Sequence, residues 1–313
     1  MLSIPSILAD HQYALVDRFS VGEQACEGLP IEPLIPTVLS GDAEKMPGLL
    51  ALDPKAPYLP RLIKNIQYAN EGIQQHLLSA LLAVPPEIEQ ETLHDHLTEY
   101  SAIFLPRAEK YFLRSFDPRV FPHLVFRILN AKQVRCLFGP ILAWTFRFQT
   151  EWVRVPVPEI DGPFPSILTA SAEQRIALDD VIVLNAALLQ REQALDREWA
   201  GFDEWRAAME DAVVALQVAR KICRLVNTDD LVAFVRHALL HGAFFYRHET
   251  IQRLLKDAIQ HSYAARAALL KKEDWALIQT ETHCAETPHR ERNEAIQAFI
   301  YPTQPPTNKG LAS

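Results

Sequence analysis

Residues 142–157 read LAWTFRFQTEWVRVPV. Leu142, Trp144, Phe146 and Phe148 alternate with Ala143, Thr145, Arg147 and Gln149, and this period of two predicts a strand with one apolar face. Val153, Val155 and Val157 then alternate with Arg154, Pro156 and Pro158. Proline cannot donate to a ladder, so this second run belongs at a sheet edge or where the chain leaves the sheet.

Upstream, Tyr13 to Asp17 reads as a short strand, and Glu23 to Asp53, rich in Pro and Gly, resists assignment. Leu62, Ile63 and Ile66 take helical spacing after the turn at Pro57-Tyr58-Leu59-Pro60. Gln74 to Val84 is expected to be an apolar helix stopped by Pro85-Pro86, and Glu87 to Glu99 another helix. Ala102 to Leu105 and Tyr111 to Phe116 flank the polar connection Pro106 to Lys110, as in a hairpin. Strands joined by hairpins and interrupted by helices predict an α+β N-terminal domain with a mostly antiparallel sheet over residues 1–155.

Val155 to Pro165 carries four prolines and Gly162, which places a linker over residues 156–166. Everything after it has helical spacing. Ser171 and Gln174 fit a capping box. Trp205, Ala208, Met209, Ala212, Leu216 and Ala219 form one stripe. Asn227 or Thr228 caps a helix with the stripe Leu231, Phe234, Val235, Ala238 and Leu239, and Gly242 sits where that helix stops. Ile251, Leu254, Leu255, Ala258 and Ile259 make a third stripe. Residues 167–300 therefore read as an all-α helical C-terminal domain. Residues 301–313, with three prolines and no periodicity, read as a disordered tail.

The 313 residues carry a formal net charge of -8, and the two halves around residue 160 contribute -4 each, so neither half has the basic balance of a nucleic-acid module. Cys26, Cys136, Cys223 and Cys284 form no CxxC pair and fit free thiols in a reducing compartment. Met1 to His11 does not read as a signal peptide, and Leu77 to Val84 is too short to span a bilayer. A cytoplasmic protein with no membrane partner is the expectation.

With 10 glycines and neither GxGxxG nor GxxxxGK[ST], a phosphate cradle is not expected, and no GxSxG elbow supports a serine hydrolase. His94 and His96 would diverge by about 200° on a helix, which argues against a shared metal. His237 and His241 have the i, i+4 spacing of a metal pair but lack the Glu of HExxH, and His283, Cys284 and His289 lack a CxxC companion. Surface or packing histidines are the favoured reading. Asp179-Asp180 and Asp229-Asp230 fit helix starts or solvated turns. From Arg107 to Arg154 there are nine basic residues against three acidic ones, interleaved with Phe112, Phe116, Phe126, Phe146 and Phe148. Most of those rings fall on apolar faces and read as core. A plain solvated face is the favoured reading of this run; the functional one is a basic strip that meets an acidic protein partner, with Arg147 and Arg154 as its candidates.

Phe116-Asp117-Pro118-Arg119-Val120, followed about twenty residues later by Leu137-Phe138-Gly139-Pro140, resembles the signature of the type VI secretion effector-chaperone (Tap/Tec adaptor) family. An N-terminal strand like Tyr13 to Asp17, an element like Ala56-Pro57-Tyr58-Leu59 and a helix carrying His96-Leu97 precede it in the same order. The departures are Thr98 where the family often has Arg, Leu137 where it has Phe, and a poor match over residues 21–55. The resemblance implies a cytoplasmic adaptor, not an enzyme, that binds a toxin effector and helps load it onto the VgrG spike, with no cofactor or metal. A metal-dependent hydrolase using the scattered histidines and a scaffold unrelated to secretion are the alternatives. Tyr13, Asp17, Pro57, Tyr58, Leu59, Asp117, Pro118, Arg119, Gly139 and Pro140 are expected to serve mainly the fold, with partner contact as their second role.

Overall fold

The computed structural model describes residues 4–70, 76–106, 109–159, 167–256 and 261–282. The chain divides into two compact units, Met1–Asp179 and Asp180–Ser313. The first is α+β with an antiparallel sheet; the second is all-helical.

In chain order the first unit contains α1 (Ile4–Ala9), β1 (Tyr13–Val16), α2 (Arg18–Val21), α3 (Glu23–Cys26), β2 (Glu32–Pro33), a 3₁₀ segment (Thr37–Lys45), β3 (Gly48–Ala51) and α4 (Leu59–Asn70). Then follow β4 (Leu78–Ala83), α5 (Gln90–Glu99), β5 (Ala102–Phe104), β6 (Lys110–Phe112) and α6 (Phe121–His123). A π-helical turn (Leu124–Ile128), α7 (Ala131–Phe138), β7 (Ala143–Phe148) and β8 (Glu151–Pro156) complete the run. Six strands pair in the order β2-β3-β1-β4-β7-β8, and each of these pairings is antiparallel. β5 and β6 form the separate expected hairpin.

The apolar stretch that ends at Val84 is not a helix. Leu78 to Ala83 form β4, between β1 and β7, and each of the six residues is buried. A strand covered on both faces shows no alternation, and its Leu and Ala content favours helix on propensity alone. Residues 74 and 75 lie outside the described residues.

β7 departs from expectation in the same way. Ala143, Trp144, Thr145, Phe146 and Arg147 are all buried, so the strand is covered on both faces, while Leu142 is 51% exposed. On one face Trp144 and Phe146 meet Phe121 and Phe138, with Phe121 stacked on Trp144 at 4.8 Å between ring centroids. On the other, Thr145 lies across from Leu81 and Leu81 across from Ala14, a face shared with the cluster of Leu50, Leu62, Ile66 and Leu8. Phe116 is buried as expected, but Phe126 is 40% exposed. β8 is the edge strand, consistent with Pro156.

The division between units falls at Asp179, not within Val155 to Pro165. Residues 160–166 lie outside the described residues. Residues 167–179 belong to the first unit. Phe104 N–H donates to Leu168 C=O at 2.8 Å, Ala170 N–H to Phe104 C=O at 2.8 Å, and the Gln133 amide to Thr169 C=O at 2.6 Å. The expected tail at 301–313 and the residues 258 and 259 of the third stripe also lie outside the described residues.

α8 (Ala172–Leu195) runs through the division. Ser171 and Gln174 make the expected capping box: Gln174 N–H donates to Ser171 Oγ at 3.2 Å and Ser171 N–H to Gln174 Oε1 at 2.9 Å. The second unit continues with α9 (Phe202–Lys221), α10 (Thr228–His241), α11 (Glu249–Lys256), α12 (Tyr263–Ala267) and α13 (Lys272–Thr282). Asn227 caps α10, and Gly242 ends it at φ +100°. Of the two acidic pairs, Asp229-Asp230 lies in the first turn of α10 as expected, while Asp179-Asp180 does not start a helix. Asp179-Asp180 sits within α8, where Asp180 pairs with Arg220. Asp230 is not solvated: it is 3% exposed and accepts from Ser262 Oγ at 2.6 Å and Ala264 N–H at 2.9 Å, which caps α12.

The approach to β7 depends on one glycine. Ile141 N–H donates to Phe138 C=O at 2.9 Å, closing a turn with Gly139 at φ +53°. A Cβ at Gly139 would lie 2.1 Å from the His96 ring, and that ring is held by a 3.1 Å bond from Nε2 to Leu137 C=O. Both the φ and the clash exclude a side chain. Gly139→Ala is therefore expected to lower stability by about 2–4 kcal/mol, read by urea denaturation; an unchanged midpoint would contradict this account of the turn.

Candidate functional site

The signature residues form three local assemblies. Asp117, 2% exposed, accepts Arg119 N–H at 2.9 Å, Arg119 Nε at 3.0 Å, Arg119 Nη2 at 2.9 Å and Arg114 Nη2 at 3.0 Å. Its own carbonyl receives the N–H groups of Val120 and Phe121 at 2.9 Å. Pro118 fixes φ inside this loop, and Pro122 lies in the first turn of α6. The Asp117 carboxylate raises the pKa of Arg119, and Asp17 adds to the effect, so the strand end after β1 faces the same guanidinium. Asp17 also caps α2 through Ser20. Arg119 keeps 69% of its side chain exposed, which leaves it a surface contact as well as a structural one.

Tyr58 donates its hydroxyl to Ala51 C=O at 2.8 Å, and Ala51 lies across from Tyr13, so the second assembly ties Tyr13, Tyr58 and Leu59 to the sheet. Pro57 is the second residue of the turn in which Leu59 N–H meets Ala56 C=O. Gly139, Pro140 and His96 make the third.

The proposed basic strip changes character. Arg154 is exposed, but Arg147 is 6% exposed and is no part of a surface strip. The guanidinium lies 5.6 Å over the Trp152 ring, and among the described residues none of its three nitrogens meets a hydrogen-bond acceptor. Burial lowers its pKa to about 10, so it remains a cation at neutral pH. Burial and the Arg147 charge push His76 down to about 4. His11, lowered chiefly by burial, bonds Ile7 C=O through Nδ1 and Thr145 Oγ1 through Nε2 at 2.8 Å.

The histidine pairs do not converge on a metal. His94 Nε2 reaches Pro33 C=O at 3.0 Å and His96 reaches Leu137, so the two diverge as a helix dictates. His237 lies in the core of the second unit, 3% exposed. Arg236 Nη2 donates to its Nε2 at 2.7 Å, which assigns the proton to Nδ1, and Nδ1 donates to Tyr263 OH at 2.8 Å. Both His237 and His241 pack on Trp275 with centroids 4.3 Å away. Burial and the Arg236 charge push His237 down to about 3 and His241 to about 4. Among the described residues no group of three or more His, Cys, Asp or Glu is placed to hold a metal ion. His283, Cys284 and His289 lie outside them.

The sequence reading missed a cleft of about 260 Å³ between α9 and α10. Ala208, Ala215, Ala238 and Ala243 are among the residues that line it, and their short side chains leave the space open. In its lining Arg191 stacks 4.1 Å over Trp199, with Nη1 buried and lacking an acceptor among the described residues. Glu204 receives Ala200 N–H and pairs with Arg197 and Arg191, interactions that hold its carboxyl below the usual range. The signal in the sequence was the repeated Ala on a helix face that otherwise carries Val, Met and Trp.

No helix among the described residues is long and apolar enough to cross a membrane. No family model, no curated protein and no solved structure matches this chain.

The buried histidines give a pH signature. His237 is neutral in the fold but protonates near 6.5 once unfolded, so the unfolded chain binds more protons below that value. Its contribution is fully present above pH 6.5 and falls by about 1.4 kcal/mol per pH unit as pH drops toward 4. Urea midpoints are expected to fall across this window, and His237→Gln, which keeps a hydrogen-bonding group without the titration, to flatten the slope. A midpoint independent of pH from 6.5 to 4.5 would contradict the neutral assignment.

Proposed function

We propose that this chain is a protein-binding adaptor of the type VI effector-chaperone kind, which holds a toxin effector in the cytoplasm and helps place it on the VgrG spike. Its work is differential protein binding without bond chemistry. The observation that carries this reading is the cleft between α9 and α10. At about 260 Å³ it is smaller than the sites that enclose cofactors or drug-sized ligands, and it matches one or two protein side chains. Its lining joins alanines and valines to the Arg191–Trp199 cation–aromatic pair, and Arg and Trp are the residue types enriched in binding hot spots. The signature residues support the reading from the other unit, where Asp117, Gly139 and Tyr58 each carry a specific local geometry and Arg119 remains exposed.

Co-expression with the products of neighbouring effector and spike genes tests it. Ala208→Phe, which fills the cleft, is expected to reduce the captured effector about tenfold or more while the circular dichroism spectrum stays unchanged. Capture at the wild-type level by a folded variant would rule the cleft out as the docking point.

A further inference from the structure

We propose that Arg147 is an anion-binding residue whose guanidinium takes a carboxylate from an acidic partner segment lying along the edge strand β8. The proposal rests on the adaptor reading and adds a site and a ligand class to it.

A buried cation without an acceptor is the least favourable arrangement among the described side chains of the first unit. Taking a guanidinium out of water costs free energy that only a paired charge or a set of hydrogen bonds returns. A methionine at the same place would fill similar space without that cost. The charge therefore weakens the free protein, and its use lies in a bound state that supplies the missing acceptor.

The surroundings select the sign of the ligand. His76 and His11 are both held neutral, and His11 has both ring nitrogens engaged. Arg154 lies across from Thr145 and Arg147 across from Trp152, so the two arginines share one face of the β7–β8 pair. Glu151 lies across from Phe148, and its carboxylate acts on Arg147 through space, but among the described residues none of the three guanidinium nitrogens meets an acceptor. Asp10 is exposed and acts on His11. The face thus presents two cations.

The position selects the kind of ligand. β8 ends the strand order, so among the described residues its outer backbone has no strand partner. An extended segment adds to such an edge by main-chain hydrogen bonds and lays alternate side chains over the same face. Trp152, half-buried on β8, lies over the guanidinium, so a segment added along β8 meets that ring and the charge beneath it.

The test uses the full chain and measures melting temperature in citrate and in sodium chloride at equal ionic strength. Citrate is expected to raise the wild-type value above the chloride value and to leave Arg147→Met unmoved. Arg147→Met without citrate is expected to melt about 3 °C or more above the wild type, because the uncompensated charge is gone. Arg147→Lys, which keeps the charge, should retain a citrate response and guards against a methionine variant that fails to fold. A methionine variant less stable than the wild type would show that the guanidinium is already compensated, and would overturn the proposal. Equal citrate responses in wild type and Arg147→Met, or none in the wild type, would do the same. These readouts need no captured partner, so they stand or fall separately from the adaptor reading.

Discussion

Trp144 stacks on Phe121 with ring centroids 4.8 Å apart, and both side chains are fully buried. The first unit is organised around that contact. Phe121 reaches its place because the Asp117 loop ends one residue before α6 and accepts Phe121 N–H on its carbonyl. Trp144 reaches its place because Gly139 turns the chain out of α7 and into β7. Two polar turns, each closed by a specific backbone geometry, thus deliver two rings to one point. Phe138 and Phe146 complete the cluster. Each buried ring removes enough apolar area from water to contribute about 2–3 kcal/mol, and each offset pair adds about 1 kcal/mol. Those gains exceed what any single turn hydrogen bond contributes, so the turns act chiefly by placing the rings.

The second unit solves a different problem. Its helices bury a polar relay, Arg236 to His237 to Tyr263, inside an otherwise apolar cluster. The relay is satisfied only while His237 is neutral, which makes it a specific arrangement that tolerates little change in charge. Close by in sequence, alanines of α9 and α10 line a cleft of about 260 Å³.

The parts of the fold legible in the sequence were those with one solvent face or one obligatory end. β8 announced itself through alternating valines and Pro156, α8 through the Ser171–Gln174 box, and α10 through Asn227 and Gly242. β4 did not, because burial on both faces erases alternation and leaves a run of Leu and Ala that reads as helix. Arg147 was misplaced for a related reason: alternation tells which side of a strand a residue faces, but not what covers that side. Its neighbours there are Trp152 on the paired strand and His76, which lies far away in sequence. The cleft was hidden because it is made of what small residues leave out. Asp117 and Gly139 were legible as turn chemistry, while the His96 ring that forbids a side chain at Gly139 was not, since their contact spans two helices.

Native-state hydrogen exchange on the full chain tests the central claim that β7, gripped by Trp144 on Phe121, is the element on which the first unit depends. The account predicts that the amides of Trp144 and Phe146 exchange only through complete unfolding of that unit, with the same free energy as Leu81 in β4 and well above those of the edge strand β8. Exchange at Trp144 and Phe146 as fast as in β8 would contradict it.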